Sequence, residues 1–234
     1  MIQKNYRFLL MDLDGTLYDF AKAEASAFSD LMSSWGLTCT ADSIRAYHNF
    51  NDACWKALER GEISKERLKS KRFEDFLAYI HFDYDPVQAG LEYAEYLSHY
   101  GFLLPGARQL LEALSGRYEL YAVTNGIQKT QEGRMAASGV GIYFNNMFVS
   151  EEIGIAKPHI EYFTHVFASI PGFQKDQALL IGDSLSSDMQ GGFNAGIDTL
   201  WYNPQHLTRP EDLPVTYEMD SLSDICLFLT GKSE

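Results

Sequence analysis

The chain has 234 residues, of which 46% are hydrophobic and 22% are charged, and its formal net charge is -13 at pH 7. This composition is typical of a globular protein with a sizeable core, built as one domain or as one domain with an insertion. The strong negative charge argues against a nucleic-acid polymer or an anionic membrane surface as a partner.

Cys39, Cys54 and Cys226 are odd in number and widely spaced, which favours a reducing compartment over a disulfide framework. The first apolar run, Phe8 to Met11, is too short for a signal peptide or a membrane span and leads directly into acidic residues. We therefore expect a cytoplasmic protein that binds no membrane. The sequence leaves open whether it is a monomer or a homodimer.

The segment from Phe8 to Thr16 reads FLLMDLDGT. Its four apolar residues are too few for a helix and do not alternate with polar ones, so they predict a parallel strand that is buried on both faces. In an extended segment the side chains of Asp12 and Asp14 point the same way, and Gly15 lets the backbone turn directly after them. Both carboxylates are expected at the carboxyl edge of a sheet, where open α/β folds bind ligands.

Two carboxylates about 4 Å apart repel by roughly 4 kcal/mol at an effective dielectric constant of about 20, so they need a shared proton or a bound cation. Oxygen ligands with vacant positions favour Mg²⁺. A solvated turn is an equally good interpretation of these residues alone. An EF-hand calcium loop is excluded, because with Gly15 as its turn glycine its first and last ligand positions would be Leu10 and Ala21.

Residues 18–102 predict four amphipathic helices and no strand. The second helix is expected to begin at Asp42 or Ser43, the third at Ser64, and the fourth at Asp85, which precedes a proline at the first helical position. We interpret this segment as an all-helical insert.

Short apolar runs typical of buried strands follow at 120–123, 147–149, 178–181 and 199–202. Helical stretches separate them, which implies a parallel sheet that is covered on both faces. The predicted fold is therefore α/β, a doubly wound, Rossmann-like parallel sheet with an inserted all-helical domain. Because the first strand precedes the insert, the core must be discontinuous and comprise residues 1–17 and 103–234.

Three further strand ends carry polar residues that an ordinary core would not need. Thr124, Asn125 and Gly126 offer a hydroxyl, an amide and a turn with backbone N–H groups, all suited to phosphate oxygens, although an Asn-Gly pair is also a common turn. We regard Asn125 and Gly126 as candidate substrate-binding residues. Lys157 precedes a proline that keeps its backbone extended, and a single lysine is more often a surface charge.

Two more acidic residues complete the set of candidate site residues. Asp183 follows a predicted strand, and Asp188 lies within or just before the first turn of the next helix, where a capping role would explain it without a metal. The acid pair, Thr-Asn-Gly, Lys-Pro and Gly-Asp-x₄-Asp occur in this order, each at the carboxyl end of a predicted strand. Together they are far more specific than any one of them.

With these four motifs the sequence resembles the haloacid dehalogenase superfamily of phosphohydrolases over its whole length, and the insert resembles that family's helical cap. The resemblance implies that Asp12 is the nucleophile and forms an aspartyl-phosphate, and that Asp14 acts as the general acid and base. Thr124 and the Asn125 backbone would hold the phosphoryl group, while Lys157 would balance its charge.

The resemblance also implies a Mg²⁺ site formed by Asp12, Asp183 and the backbone carbonyl of Asp14, with Asp188 binding or orienting a water on the metal. It disfavours dehalogenation, since the dehalogenases of the superfamily are metal-independent and lack the second acid of the first motif. A phosphomutase stays open. A non-catalytic binding protein is disfavoured because no catalytic position is lost.

A closer resemblance, to the bacterial pyrimidine 5'-nucleotidase subgroup, is carried by the segments 123–126, 149–154, 191–196 and 201–204. It implies a small-molecule phosphate ester as substrate, a nucleoside 5'-monophosphate of pyrimidine type. The alternative is a sugar-phosphate or phosphoglycolate-type phosphatase. Some members of the subgroup carry a second acid where Gly15 stands, and many members of the superfamily have Asp where His159 stands.

Substrate choice is expected to rest with the helical insert, whose closure would exclude water. Trp55, together with Tyr18 and Phe20, is a candidate for stacking on a base, and Asn51 and Arg72 are candidates for hydrogen bonds to it. For the aromatic residues, packing in the core is the alternative interpretation.

Overall fold

The computed structural model describes residues 4–231. The first three and the last three residues of the predicted core lie outside this range. The described chain divides into two compact units, and the domain boundaries expected from the sequence stay a prediction. The sheet unit comprises residues 4–19, Phe102–Gln128 and 138–231, and the helical unit comprises Phe20–Gly101 and Lys129–Ala137.

The sheet unit is built on six parallel strands. In chain order they are β1 (Phe8–Met11), β2 (Glu119–Thr124), β3 (Asn146–Val149), β4 (Ala178–Gly182), β5 (Asp198–Tyr202) and β6 (Tyr217–Met219). Their spatial order is β3-β2-β1-β4-β5-β6, so the chain winds outward from β1 in both directions. This confirms the predicted doubly wound parallel sheet and adds β6, which contains no apolar run.

Helices make up most of the remaining described chain. Those that belong to the sheet unit flank the sheet. The helices are α1 (Phe20–Ser34), α2 (Ala41–Glu59), α3 (Lys65–Tyr79), α4 (Pro86–Ser98), α5 (Ala107–Leu114), α6 (Gln128–Ser138), α7 (Ser150–Ile153), α8 (Ile160–Ser169), α9 (Gln190–Ala195) and α10 (Leu222–Thr230). In the part of the chain that is described, no helix combines the length and the apolar character needed to cross a membrane.

The central strand is fixed by burial on the face that α8 covers. Phe8 and Leu10 of β1 are fully buried there and belong to one apolar cluster with Phe163 and Val166 of α8. Burying a side chain of this size stabilises the fold by about 1.5–3 kcal/mol. A shift of β1 by one residue would turn this set to the opposite face of the sheet and break its packing against α8, so the position of the carboxyl end of β1 is well determined.

The register brings the carboxyl ends of three central strands to the same edge of the sheet, within two residues of one another. Met11 of β1 lies opposite Ala122 of β2 and Ile181 of β4. Just beyond the strand, the backbone N–H of Asp12 donates to the carbonyl oxygen of Ile181 at 2.9 Å. Residues that directly follow these strands therefore meet at one edge of the sheet, as predicted.

Two of the three predicted helix starts in the helical unit are confirmed. Ser64 and Asp85 cap α3 and α4, and each side chain accepts a hydrogen bond from a backbone N–H in the first turn. The start predicted for α2, at Asp42 or Ser43, is wrong, because Thr40 is the N-cap and pairs with Ser43 in a reciprocal capping box. In a capping box the third helical residue, here Ser43, is of a type that also occurs at N-caps. The sequence pattern therefore places the start of α2 a few residues too late.

Helices α3 and α4 approach each other closely at Gly90. A Cβ atom at Gly90 would lie 2.6 Å from the backbone carbonyl oxygen of Lys69. That oxygen belongs to α3, so it cannot move without its helix, and the contact excludes any larger side chain.

We expect Gly90→Ala to lower the free energy of unfolding by about 1–3 kcal/mol, because the added methyl group forces the two helices apart. In an open helical site the same change would stabilise by about 1 kcal/mol. Urea unfolding measures the difference. Leu91→Ala, at a position that is 61% exposed, is the control and should change stability by less than about 0.5 kcal/mol. A Gly90→Ala protein as stable as wild type would contradict this close packing.

Candidate active site

Three carboxylates meet at the carboxyl edge of the sheet. Asp12 follows β1, Asp183 follows β4, and Asp188 lies in a π-helical turn, Leu185–Met189, that precedes α9. One oxygen atom of each carboxylate lies within 4.8 Å of those of the other two. Asp12 and Asp188 are buried and Asp183 is half-buried.

Lys157 supplies positive charge to this cluster. Its side chain is buried, with the residue 2% exposed. The ammonium Nζ donates to Asp12 Oδ1 at 2.7 Å, to Asp188 Oδ1 at 2.6 Å and to the carbonyl oxygen of Val123 at 2.8 Å. Three acceptors match the three protons of an ammonium group. Lys157 is therefore not the surface charge that a single lysine usually is.

Burial and charge act in opposite directions on these groups. Burial raises the pKa of Asp12 above its usual range, and the ammonium of Lys157 lowers it in part. Burial also raises the pKa of Asp183 to about 7, with the charge of Asp188 as the next cause. Burial alone would lower the pKa of Lys157, but the charges of Asp12 and Asp188 raise it above its ordinary value.

Three carboxylates facing one ammonium leave two uncompensated negative charges when all three are ionised. Uncompensated charge in a buried site is costly, so the cluster needs protons or a cation. The donor atoms are all oxygens, which are the ligands that hard divalent cations such as Mg²⁺ prefer. Asp12, Asp183 and Asp188 therefore fit a divalent cation.

Two glycines make room for the carboxylates. A Cβ atom at Gly15 would lie 2.4 Å from Asp183 Oδ2, and one at Gly182 would lie 2.3 Å from Asp188 Oδ2. Gly15 also has a φ of +86°, a backbone conformation that favours glycine. An acidic side chain at position 15 would not fit this backbone unless Asp183 moved.

Thr16 belongs to the cluster although no sequence pattern singled it out. Its hydroxyl Oγ1 lies 3.3 Å from Asp12 Oδ2 and 3.1 Å from Asp183 Oδ1, and one hydroxyl proton serves one carboxylate at a time. Asp14 is half-buried, and its carboxylate is not one of the three that come together among the described residues. The strand ends at Met11, and Asp14 forms an isolated β-bridge with Tyr18. The role of Asp14 stays a prediction.

The turn after β2 lies beside Lys157. The backbone N–H of Gly126 donates to Thr124 Oγ1 at 3.0 Å. Asn125 Nδ2 donates to the carbonyl oxygen of Lys157 at 2.9 Å, and the backbone N–H of Lys157 donates to Asn125 Oδ1 at 2.9 Å. The structure thus brings Asn125 and Lys157 together across 32 residues of sequence.

Asp188 does not cap the turn in which it lies. Ser184 is the N-cap, and its side chain accepts from the backbone N–H of Ser187 at 3.2 Å. Asp188 Oδ2 accepts from the backbone N–H of Ser184 at 3.1 Å, and its other oxygen faces the ammonium group. The capping alternative for Asp188 is therefore wrong.

The structure brings Asn51 and Arg72 together inside the helical unit. Arg72 Nη1 donates to Asn51 Oδ1 at 2.8 Å, and Asn51 Nδ2 donates to Glu24 Oε1 at 2.7 Å. All three residues are buried. Glu24 has no signal in the sequence beyond its place on α1, yet its charge is linked to Arg72 through Asn51. Trp55 lies one turn further along α2 and is half-buried. Substrate binding by these residues stays a prediction.

Comparison with known proteins agrees with these motifs. The chain matches the family model described as haloacid dehalogenase-like hydrolase over residues 9–202. It is 43% identical over 225 residues to pyrimidine 5'-nucleotidase PynA of Streptococcus pneumoniae, which covers 94% of this chain and 93% of that one. It is 28% identical over 218 residues to pyrimidine 5'-nucleotidase YjjG of Escherichia coli, which covers 93% of this chain and 95% of that one.

Solved structures give a similar result. The crystal structure of the HAD-hydrolase YfnB from Bacillus subtilis, described as bound to magnesium, matches with a TM-score of 0.92 and 35% sequence identity. The match covers 98% of this chain and 100% of that chain.

We expect Lys157→Met to lower the free energy of unfolding by about 3–5 kcal/mol near neutral pH, because Asp12 and Asp188 would be left buried without their cation. An acidic group whose pKa is raised by folding lowers the free energy of unfolding of the protein as the pH rises. The loss should therefore be smaller at about pH 5.5 than at about pH 7.5, since burial raises the pKa of Asp12 and its carboxyl takes up a proton more readily at the lower pH. Urea unfolding without divalent cations, at both pH values, measures it.

Lys129→Met is the matched control. Lys129 makes an equally short ion pair, 2.6 Å to Glu95, but its side chain is 79% exposed, and exposed pairs contribute little. We expect no measurable change. Equal destabilisation by the two substitutions, or a Lys157→Met loss that does not depend on pH, would contradict the charge balance described above.

Proposed function

The chain belongs to the haloacid dehalogenase-like hydrolases, and on that basis we propose that it is a Mg²⁺-dependent phosphomonoesterase acting on nucleoside 5'-monophosphates of pyrimidine type. The observation that carries the proposal is the buried ammonium of Lys157 between Asp12 and Asp188, beside the half-buried carboxylate of Asp183. The named activities of PynA and YjjG support the nucleotide substrate.

Asp12 is the proposed nucleophile. Burial raises the pKa of its carboxyl, whereas the ammonium of Lys157 at 2.7 Å acts in the opposite direction and favours the ionised form that can attack phosphorus. A bond forms from Asp12 to phosphorus while the bond from phosphorus to the ester oxygen breaks. Asp14 gives the leaving alkoxide a proton and later accepts one from the water that hydrolyses the aspartyl-phosphate.

Phosphoryl transfer needs positive charge and hydrogen-bond donors around three equatorial oxygens more than it needs covalent chemistry. Lys157 supplies one positive charge. Thr124 and the backbone N–H of Asn125 are the proposed donors to the phosphoryl oxygens, with Gly126 holding the Thr124 hydroxyl oxygen in place. These groups are fixed before substrate arrives, which is the condition for electrostatic stabilisation of a transition state.

Asp12, Asp183 and the backbone carbonyl of Asp14 are the proposed ligands of Mg²⁺, and Asp188 binds or orients a water on it. When bound, the cation would neutralise the charge that Lys157 leaves uncompensated and polarise a phosphoryl oxygen. Two observations support this assignment: the three carboxylates converge within 4.8 Å, and the related YfnB structure is described as bound to magnesium.

The remaining substrate contacts are proposed in the helical unit. Asn51 and Arg72 are the candidates for hydrogen bonds to the base, and Trp55 is the candidate for stacking on it. A cytoplasmic location and a monomeric or homodimeric state stay predictions.

We expect the protein to release phosphate from pyrimidine nucleoside monophosphates with a kcat/KM about tenfold or more above that for purine nucleotides, sugar phosphates and phosphoglycolate. A chelator should abolish turnover, and Mg²⁺ should restore it. Asp12→Asn should lower kcat by about 1,000-fold or more, because the nucleophile is lost. A phosphate-release assay over this panel, with and without chelator, measures all three effects.

The exposed Asp176→Asn substitution is the control for loss of a carboxylate and should leave turnover unchanged. Preferred turnover of sugar phosphates or phosphoglycolate would replace the proposed substrate class while keeping the chemistry. Full activity in chelator, or an Asp12→Asn protein within about tenfold of wild type, would contradict the mechanism.

We also expect Mg²⁺ binding to weaken as the pH falls below about 7, because the raised pKa of Asp183 means that a proton must leave before the cation binds. Isothermal titration calorimetry at about pH 6 and pH 8.5, in buffers of different ionisation enthalpy, should show about one proton released at the lower pH and almost none at the higher. The same affinity and proton count at both pH values would contradict a protonated Asp183 in the metal-free protein.

A further inference from the structure

The side chain of Asn125 makes two hydrogen bonds to a single residue, Lys157. A primary amide has one donor side and one acceptor side, and here Nδ2 donates to the Lys157 carbonyl oxygen while Oδ1 accepts from the Lys157 backbone N–H, both at 2.9 Å. Only one orientation of the amide satisfies both bonds. This pair of bonds fixes the position and the direction of the Lys157 peptide groups together.

The backbone of Lys157 needs such support. It lies in a turn between α7 and α8, outside any helix or strand, so no regular ladder of hydrogen bonds holds it. Its side chain has four rotatable bonds and must still bring Nζ to three acceptors on three separate segments, Asp12, Val123 and Asp188. A displacement of the Lys157 backbone therefore also displaces the ammonium group at the end of its side chain.

The site shows how little freedom Nζ has. Its three acceptors lie at 2.6–2.8 Å, and the side chain is buried. A group misplaced by about 1 Å in an active site costs on the order of 100-fold in rate. Whatever holds the Lys157 backbone therefore influences the rate without touching the substrate.

We propose that Asn125 is a positioning residue: its carboxamide fixes the backbone of Lys157 and through it the distance from Nζ to Asp12. This inference rests on the proposed function and refines the expectation that Asn125 binds substrate. The side chain of Asn125 acts on the lysine, and the backbone N–H of Asn125 serves the phosphoryl group.

Asn194 of α9 offers a matched control, because it bonds to the turn in which Lys157 lies. Its Nδ2 donates to the carbonyl oxygen of Pro158, the residue after Lys157, at 3.0 Å, and it is exposed. Asn194→Ala removes a similar hydrogen bond one residue away but leaves the peptide groups of Lys157 held. Asn194→Ala therefore shows the effect of weakening the turn in general, which can be compared with the effect of losing the two hydrogen bonds that Asn125 makes.

The first test compares Asn125→Ala, Asn194→Ala, Lys157→Met and the double variant Asn125→Ala/Lys157→Met, with Mg²⁺ present and p-nitrophenyl phosphate as substrate. We expect Asn125→Ala to lower kcat about 30- to 100-fold with KM within about threefold of wild type. Asn194→Ala should stay within about threefold of wild type. When Lys157 is already replaced by Met, the further substitution Asn125→Ala should lower kcat by less than about threefold, because the effects of residues that act as a unit are not additive.

If the decrease in kcat of the double variant equals the product of the decreases in the two single variants, the proposal is overturned, since Asn125 would then act independently of Lys157. A higher KM with kcat unchanged would overturn it in favour of direct substrate binding. A kcat for Asn125→Ala within about threefold of wild type would show that the two bonds do not matter for the rate.

A second test does not depend on turnover or on the folding of Lys157→Met. A buried ammonium exchanges its protons slowly, so the Lys157 side chain should give a resolved signal in a ¹H–¹⁵N spectrum of protein labelled at lysine Nζ. We expect the signal to shift or disappear in Asn125→Ala and to stay in place in Asn194→Ala. An unchanged signal in Asn125→Ala would overturn the proposal. If wild type hydrolyses no phosphate ester, the proposed function fails, while this spectrum still tests the positioning.

Discussion

The buried ammonium of Lys157 is the interaction on which the rest of the site depends. It joins three segments that are far apart in sequence: the end of β1 at Asp12, the end of β2 at Val123 and the π-helical turn at Asp188. A buried charge is tolerated only when its partners are in place. The parallel register of the central strands provides them, because it brings the carboxyl ends of β1, β2 and β4 to the same edge of the sheet.

Space is the second constraint on this edge of the sheet. The carboxylates of Asp183 and Asp188 lie where the Cβ atoms of Gly15 and Gly182 would be. Charge and space act together here, since the acids can come close only because the backbone opposite them has no side chain. Local rules that favour stability elsewhere in the chain are broken at this edge, as is common at functional sites.

The sequence predicts the parts of the structure that have a local signal. Buried strands are recognised as apolar runs, and the chemistry-bearing residues as polar residues in the segments that follow them, which is why the sequence predicts Asp12, Asp183 and Lys157 at one edge of the sheet. The pairing of Asn125 with Lys157 had no such signal, because it depends on the path of a turn 32 residues away.

Other features were missed for different physical reasons. β6 has the sequence Tyr-Glu-Met, which lacks the apolar run of a buried strand. Thr16 follows a turn whose geometry cannot be read from residue types, so its contact with Asp12 and Asp183 emerges only in three dimensions. Glu24 is an acid on an amphipathic helix that is typical of a solvated face, yet it is buried against Asn51.

The central position of β1 has a consequence for how the protein is made. Phe8 pairs with Glu119 on one side and with Ala178 on the other, so β1 leaves the ribosome before its partners, which are 111 and 170 residues further on. At the usual 5–20 residues per second, the second partner emerges about 10 to 30 s later. Such distant pairings are slow to form, and the apolar strand stays exposed meanwhile. The nascent chain is therefore most vulnerable to aggregation until β4 has been synthesised, and the acid cluster cannot be completed before Asp183 and Asp188 have emerged.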